Sequence, residues 1–176
     1  MSATLPIAYA YMDSANMTEV PNLTRDLPLE FRKLQPSMVP PLTEFFHSLA
    51  HGPDHAFFHP HPLTGEEAQR LCSYAGRDLY FVAVTGTEVF AYGLLRGWDE
   101  GFAIPSLGIA VHPDMRGQGL ARTFMGFLHI AAKLRGATRV RLTVYRENQV
   151  ALDWYRRLGY KFETKNSREL IGLLAL

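Results

Sequence analysis

The chain has a single cysteine, Cys72, so no internal disulfide can form and the fold does not depend on an oxidising compartment. No apolar run approaches the ~20 residues that a membrane-spanning helix needs, and the N-terminus lacks a charged segment followed by an apolar block. A soluble, cytoplasmic protein is therefore the expectation. Charge of one sign is also missing: 18 Lys and Arg stand against 17 Asp and Glu, a net charge of +1. That balance leaves no electrostatic footprint for duplex nucleic acid or an anionic membrane. There is no Gly-Lys-Ser or Gly-Lys-Thr, which rules out a P-loop, and no internal repeat or low-complexity tract.

What is present fits one compact domain. The 176 residues are 47% hydrophobic and 20% charged. Residues 1–28 follow no period, broken by Pro21, Asn22 and Pro28, and are set apart as an N-terminal extension of unknown structure; residues 29–176 form the expected domain. Residues 29–34 alternate as a first strand. Ser37 is a candidate cap for a helix running to about Ala50, with Pro40 and Pro41 in its first turn. A Pro- and His-rich loop spans 51–62, and Thr64-x-x-Glu67 has the capping-box pattern of a helix over 64–74. Residues 79–84 and 88–95 are strands joined across Thr85-Gly86-Thr87. The strand over 107–111 contains Gly108, which signals a bulge or a close backbone approach. A helix from about 120, a strand over 139–145, a helix from Asn148 to Leu158 stopped by Gly159, and strands over 160–164 and 169–174 complete the order. This is mixed α/β with a central antiparallel meander, which argues against a doubly wound sheet.

Arg116-Gly117-Gln118-Gly119-Leu120-Ala121 links the buried strand ending at Val111 to the long amphipathic helix. A glycine-bearing turn that opens a helix leaves backbone N–H groups without partners at the positive end of the helix dipole, and lets an anion approach closely. The turn therefore reads as a phosphate seat. It is not a dinucleotide fingerprint, because position 122 is Arg where a third glycine is required.

Arg116-x-x-Gly119-x-Ala121 resembles the Q/R-x-x-G-x-G/A pattern of the GNAT N-acetyltransferase superfamily. Asn148-x-x-Ala151-x-x-x-Tyr155-x-x-Leu158-Gly159-Tyr160 resembles that superfamily's N-x-x-A-x-x-x-Y-x-x-L-G-[FY] segment, and Val111-His112-Pro113 is also typical. The resemblance implies the GNAT fold, a mixed, mostly antiparallel α/β (α+β) sheet of about six or seven strands flanked by about four helices. It implies acetyl-CoA as cosubstrate, no metal, and transfer of acetyl to an amine acceptor.

Carried over residue by residue, the amides of Gln118, Gly119, Leu120 and Ala121 would hold the pyrophosphate, with Gly117 shaping the turn and Arg116 and Arg122 nearby. Ile109, Ala110 and Val111 would meet the pantetheine arm where two strands splay apart, with Asn148 and Ala151 across from them. Tyr155 would be general acid to the departing thiolate. Phe57, Phe58 and His59 are placed in the acceptor wall, together with Asp99 and Glu100, the nearest acidic residues in a chain with Pro105, Leu107 and Thr143 where many members carry a base. The acceptor is expected to be a primary amine of a small molecule, with an amino sugar or polyamine as the leaning. A protein amine, or a module that binds acyl-CoA without turnover, are the competing readings, and oligomeric state leaves no signature. The histidines at 47, 51, 55, 59 and 61 lack metal-ligand spacing and are read as a loop cluster.

Overall fold

A computed structural model describes residues 28–176; the expectation for 1–28 concerns residues outside the described segment, Pro28 apart. The described residues form a seven-stranded sheet in the order β1-β2-β3-β4-β5-β7-β6. The strands are β1 (Leu29–Lys33), β2 (Leu79–Thr85), β3 (Glu88–Arg96), β4 (Ser106–Val111), β5 (Arg139–Tyr145), β6 (Lys161–Thr164) and β7 (Glu169–Ala175). Every neighbouring pair is antiparallel except β4 with β5. Parallel neighbours require a crossover, and the helix α3 (Leu120–Leu134) supplies it.

Strand alternation gives the sheet two apolar faces. Ala83, Ala91, Leu95, Leu107, Val140, Leu142 and Val144 pack under α3 and α4 (Gln149–Arg157). Tyr80, Val82, Val84, Tyr92, Leu94 and Ala110 pack under α1 (Val39–His51) and α2 (Gly65–Cys72). Gly93 sets the depth of the first layer: a Cβ there would lie 2.8 Å from Leu128 and 3.0 Å from Phe124 of α3. The far part of the second face, over β5 and β7, carries Arg141, Thr143, Tyr145 and Glu169, and it is there that a cavity opens.

The helix entries differ in part from expectation. Ser37 lies inside a 3-10 turn, Pro36–Met38, and Met38 precedes α1 without a side-chain cap. Prolines in the first turn, where amides need no helical partner, start that helix instead. Thr64 does cap α2, accepting from the Glu67 amide at 3.2 Å. The Glu67 carboxylate turns to the Arg70 guanidinium, at 2.6 and 2.7 Å, rather than completing the box. Asn148 caps α4 by accepting from the Ala151 amide at 3.1 Å. At Gly108 the outcome is close approach and not a bulge, since the β3–β4 register runs unbroken past it. A Cβ at that position would sit 3.1–3.3 Å from Leu94.

Candidate active site

Two features meet at β4. The first is the turn after it. Gly117 and Gly119 have φ of 71° and 86°, left-handed values that glycine adopts without steric cost. Space beside both is open, with nothing within 4 Å of where a Cβ would be. Gly119 caps α3 with no side chain, and the helix's first amide bond runs from Thr123 to the Gly119 carbonyl. The amides of Leu120, Ala121 and Arg122 thus precede the helical ladder, as expected for a helix start. Around them the turn is braced from outside. The Gln118 side chain donates to the Asp114 carbonyl at 2.8 Å, and the Arg116 guanidinium donates back to the Val111 carbonyl at 3.2 Å. Leu120 is buried, so only its backbone faces the turn, whereas Arg122 is exposed.

The second feature is the gap between β4 and β5. Their only paired row is Ser106 with Arg141, fastened by the Arg141 amide to the Pro105 carbonyl at 3.0 Å. Beyond that row the strands part. The His112 amide bonds the Phe90 carbonyl of β3, and antiparallel pairing alternates, so Ala110 and Gly108 also turn their backbone groups toward β3. Those of Ile109 and Val111 turn toward the gap. Of the three residues expected along a pantetheine arm, two direct backbone groups there; Ala110 does not.

The helix that follows β5, α4, carries Tyr155. Tyr155 packs against the core with its ring 5.1 Å from Trp154 and 5.6 Å from Tyr160. Among the described residues its hydroxyl has no hydrogen-bond partner, and it is not one of the fully buried polar atoms. Burial pushes its pKa up to about 12. The Asn148 carbonyl oxygen and the Ala151 amide are used on each other in the cap, which leaves the Asn148 amide nitrogen for any ligand contact.

On the opposite face of β4 lies a cavity of about 410 Å³. Phe57, Phe58, His59 and Glu100 line it, and Asp99 does not. The Asp99 carboxylate is taken up by the Tyr74 hydroxyl and by the Arg77 amide at 2.9 Å. Buried Asp78 reciprocates, accepting from the Gly97 and Trp98 amides at 2.9 Å each. These carboxylates fix the loop that presents Glu100 and Phe102, and Trp98 is drawn into the core. That is the physical reason the acidic pair divides.

Among the polar lining residues, sequence reasoning missed Arg96, Ser106, Arg141, Tyr145 and Glu169. A partial signal existed in β5, where apolar Val140, Leu142 and Val144 alternate with Arg141, Thr143 and Tyr145. Alternation marks a polar face but not what that face looks into. His59 meets Tyr145 here, with Nε2 2.8 Å from the phenol oxygen and Nδ1 3.3 Å from the His55 carbonyl. A carbonyl can only accept, so Nδ1 carries the proton and the neutral ring keeps Nε2 as an acceptor. Among the described residues no group of three or more His, Cys, Asp or Glu is arranged to hold a metal ion.

Known proteins share this fold. The model of the Acetyltransferase (GNAT) family matches residues 45–160. Among solved structures, the GNAT domain of S. lividans PAT superposes with a TM-score of 0.73 at 16% identity, covering 84% of this chain and 90% of that one. The PaiA N-acetyltransferase from Thermoplasma acidophilum, solved in complex with coenzyme A, gives 0.69 at 18% identity over 85% and 100%. An acetyltransferase from Thermus thermophilus gives 0.65 at 24% identity over 85% and 98%. These likenesses establish the fold.

Proposed function

The chain belongs to the Acetyltransferase (GNAT) family and is an acyltransferase; from that premise we propose that it moves an acetyl group from acetyl-CoA to the primary amine of a small molecule held in the cavity. The observation that carries this reading is one strand serving two sites. At its C-terminal end β4 feeds an open, glycine-lined helix start, and at its other end it floors a cavity open to solvent; between the two it parts from β5. A cavity of about 410 Å³ is within the usual range for small-molecule sites.

The residues present fit the donor. The amides from Gln118 to Ala121, with Arg116 and Arg122 beside them, would hold the pyrophosphate, and the gap-facing groups of Ile109 and Val111 with the Asn148 amide nitrogen would line the arm. Acetyl-CoA supplies the activated acetyl group. Tyr155 supplies a hydrogen bond to the sulfur as charge develops on it. With a pKa near 12 against ~8.5 for a free thiol, complete proton transfer from this phenol is uphill by roughly 5 kcal/mol. Its contribution is therefore stabilisation of the leaving sulfur rather than early proton donation.

The acceptor must lose a proton, because an alkyl amine near ~10.4 is almost wholly charged at neutral pH. The Tyr145–His59 pair fills the place where sequence offered no base: the Tyr145 hydroxyl donates to His59 Nε2, so a proton taken up by the phenol oxygen is matched by the phenol's own proton passing to the ring. The aromatic wall of Phe57, Phe58 and Tyr145 suits a sugar or ring-bearing amine. A polyamine is less well matched, since a second ammonium would enter beside Arg96 and Arg141.

The test is thiol release from acetyl-CoA across a panel of small amines and peptide N-termini, beside calorimetric CoA binding. Release with small amines and not with peptides is expected. CoA binding with no release on any acceptor, or release with peptides alone, would overturn the reading.

A further inference from the structure

The cavity holds two cations that the chemistry of acetyl transfer does not require. Arg96 of β3, Ser106 of β4 and Arg141 of β5 occupy one row across the sheet, since Arg96 pairs with Ser106 and Ser106 with Arg141. Residues in one row point to the same face, so both arginines rise into the cavity two strand spacings apart, roughly 10 Å between Cα atoms. Neither makes an ion pair with the described residues.

Arg141 is held ready for a ligand. Its Nε donates to the Ser106 hydroxyl at 2.7 Å, and its guanidinium lies 5.5 Å from the centre of the Phe102 ring. Those contacts fix the plane and leave both terminal nitrogens without a protein acceptor. Arg96 spends one nitrogen on the Pro60 carbonyl at 3.0 Å, beside His59. The carboxylates of the lining do not cancel this charge. Glu169 is already engaged by the Lys165 ammonium at 3.0 Å and by the Asn166 amide at 2.7 Å, and Glu100 is exposed at the rim. Gly108, paired with Leu94 in the next row of β3 and β4, also lines the cavity, and the Leu94 side chain packs against it, 3.1–3.3 Å from where a Cβ would be.

Resting on the acetyl-transfer reading, we infer that the acceptor is an amine carrying an anionic group, a carboxylate or a phosphate, seated on Arg141 and Arg96. A fixed guanidinium plane matches the paired oxygens of either group and binds them more strongly than neutral partners. The anion then anchors the molecule on the sheet and directs its amine toward His59 and the β4–β5 gap.

The experiment compares wild type with R141Q, R96Q and R141K on matched amines: phenylalanine against phenylalanine amide, glucosamine 6-phosphate against glucosamine, and putrescine. The first pair reports a carboxylate and the second a phosphate. CoA affinity, measured on every variant, reports whether the fold is intact. In at least one pair the anionic member should have a kcat/KM about tenfold or more above its neutral partner. R141Q and R96Q should bring the pair close to parity with CoA affinity unchanged, and R141K should retain part of the preference. Equal use of neutral and anionic members by wild type, or a preference that survives in R141Q and R96Q, overturns the inference while leaving acetyl transfer standing. Absence of release on every amine overturns the transfer reading instead. Calorimetry of phenylalanine and glucosamine 6-phosphate with the CoA-bound protein then decides the anion seat. Binding that is lost in R141Q and R96Q upholds it, and no binding to wild type sinks it.

Discussion

The turn at 116–122 and the cavity beside Arg141 share one strand but are built from different material. The turn offers main-chain amides, two left-handed glycines and the end of a helix dipole, with the Gln118 and Arg116 side chains bracing it from outside. The cavity is made of side chains drawn from the 57–60 loop, β3, the loop after it, β4, β5 and the start of β7. A seat made of backbone recognises what every donor of one class has in common. A seat made of side chains is free to vary, and that is where acceptor identity must lie. The comparison therefore predicts a clean division: lesions in the turn should strike CoA affinity, and lesions in the cavity should strike the acceptor alone.

The largest expected effect breaks the backbone seat. Gly119→Val places a β-branched side chain at φ 86°, a conformation that costs about 1–3 kcal/mol, and fills the open space before α3. Calorimetry should show CoA affinity falling by about 100-fold or more, because at least two charge-assisted amide contacts are lost. A melting temperature that drops while CoA still binds at full strength would mean the ligand lies elsewhere. Next is Tyr155→Phe, which belongs to neither region's lining. Turnover should fall by about 100-fold with CoA affinity nearly unchanged. Equal losses in both would make Tyr155 a packing residue.

Tyr155 also gives the comparison a pH dependence. Its pKa is raised by burial from 10.0 to about 12, so the phenol is neutral in the folded protein where an unfolded chain would already ionise. The stabilisation this provides is complete below pH 10 and is lost as pH rises toward 12. Alkaline unfolding followed from about pH 9 to 12 should therefore steepen above pH 10 in wild type and be blunted in Tyr155→Phe. Buried Cys72, raised to about 11 for the same reason, contributes in the same direction in both proteins.

The two regions also differed in how much of them the sequence disclosed. Gly117 and Gly119 are local: strand, turn and helix are contiguous, and glycine spacing alone indicates that a backbone is being exposed. The strands and helices were legible for similar reasons, to within a residue or two at most ends. Arg96 and Arg141 come together only because β3, β4 and β5 align them in one row, and register is a property of pairing that no single segment contains. Asp99 shows the reverse error. It stood next to Glu100 and was grouped with it, but Tyr74 and the Arg77 amide, more than twenty positions earlier, claim its carboxylate. Accordingly Asp99→Asn should cost about 1–2 kcal/mol of stability in a denaturant melt, by weakening contacts to a charged group, with the acceptor KM unchanged. A raised KM at undiminished stability would return Asp99 to the site.

The smallest effect is the most diagnostic of where the cavity floor lies. Gly108→Ala requires no unusual backbone angle, so its consequence is purely one of space. The added methyl would approach Leu94 at 3.1–3.3 Å, and the leucine must yield by a few tenths of an ångström or press back on β4. Overpacking on this scale costs about 1 kcal/mol, which on binding is roughly fivefold. If the acceptor rests on that floor, its KM should rise by about that factor while the CoA affinity, set beyond the other end of the strand, stays put. Should CoA affinity fall as well, strain at Gly108 is reaching Ile109 and Val111, and the two ends of β4 do not act independently.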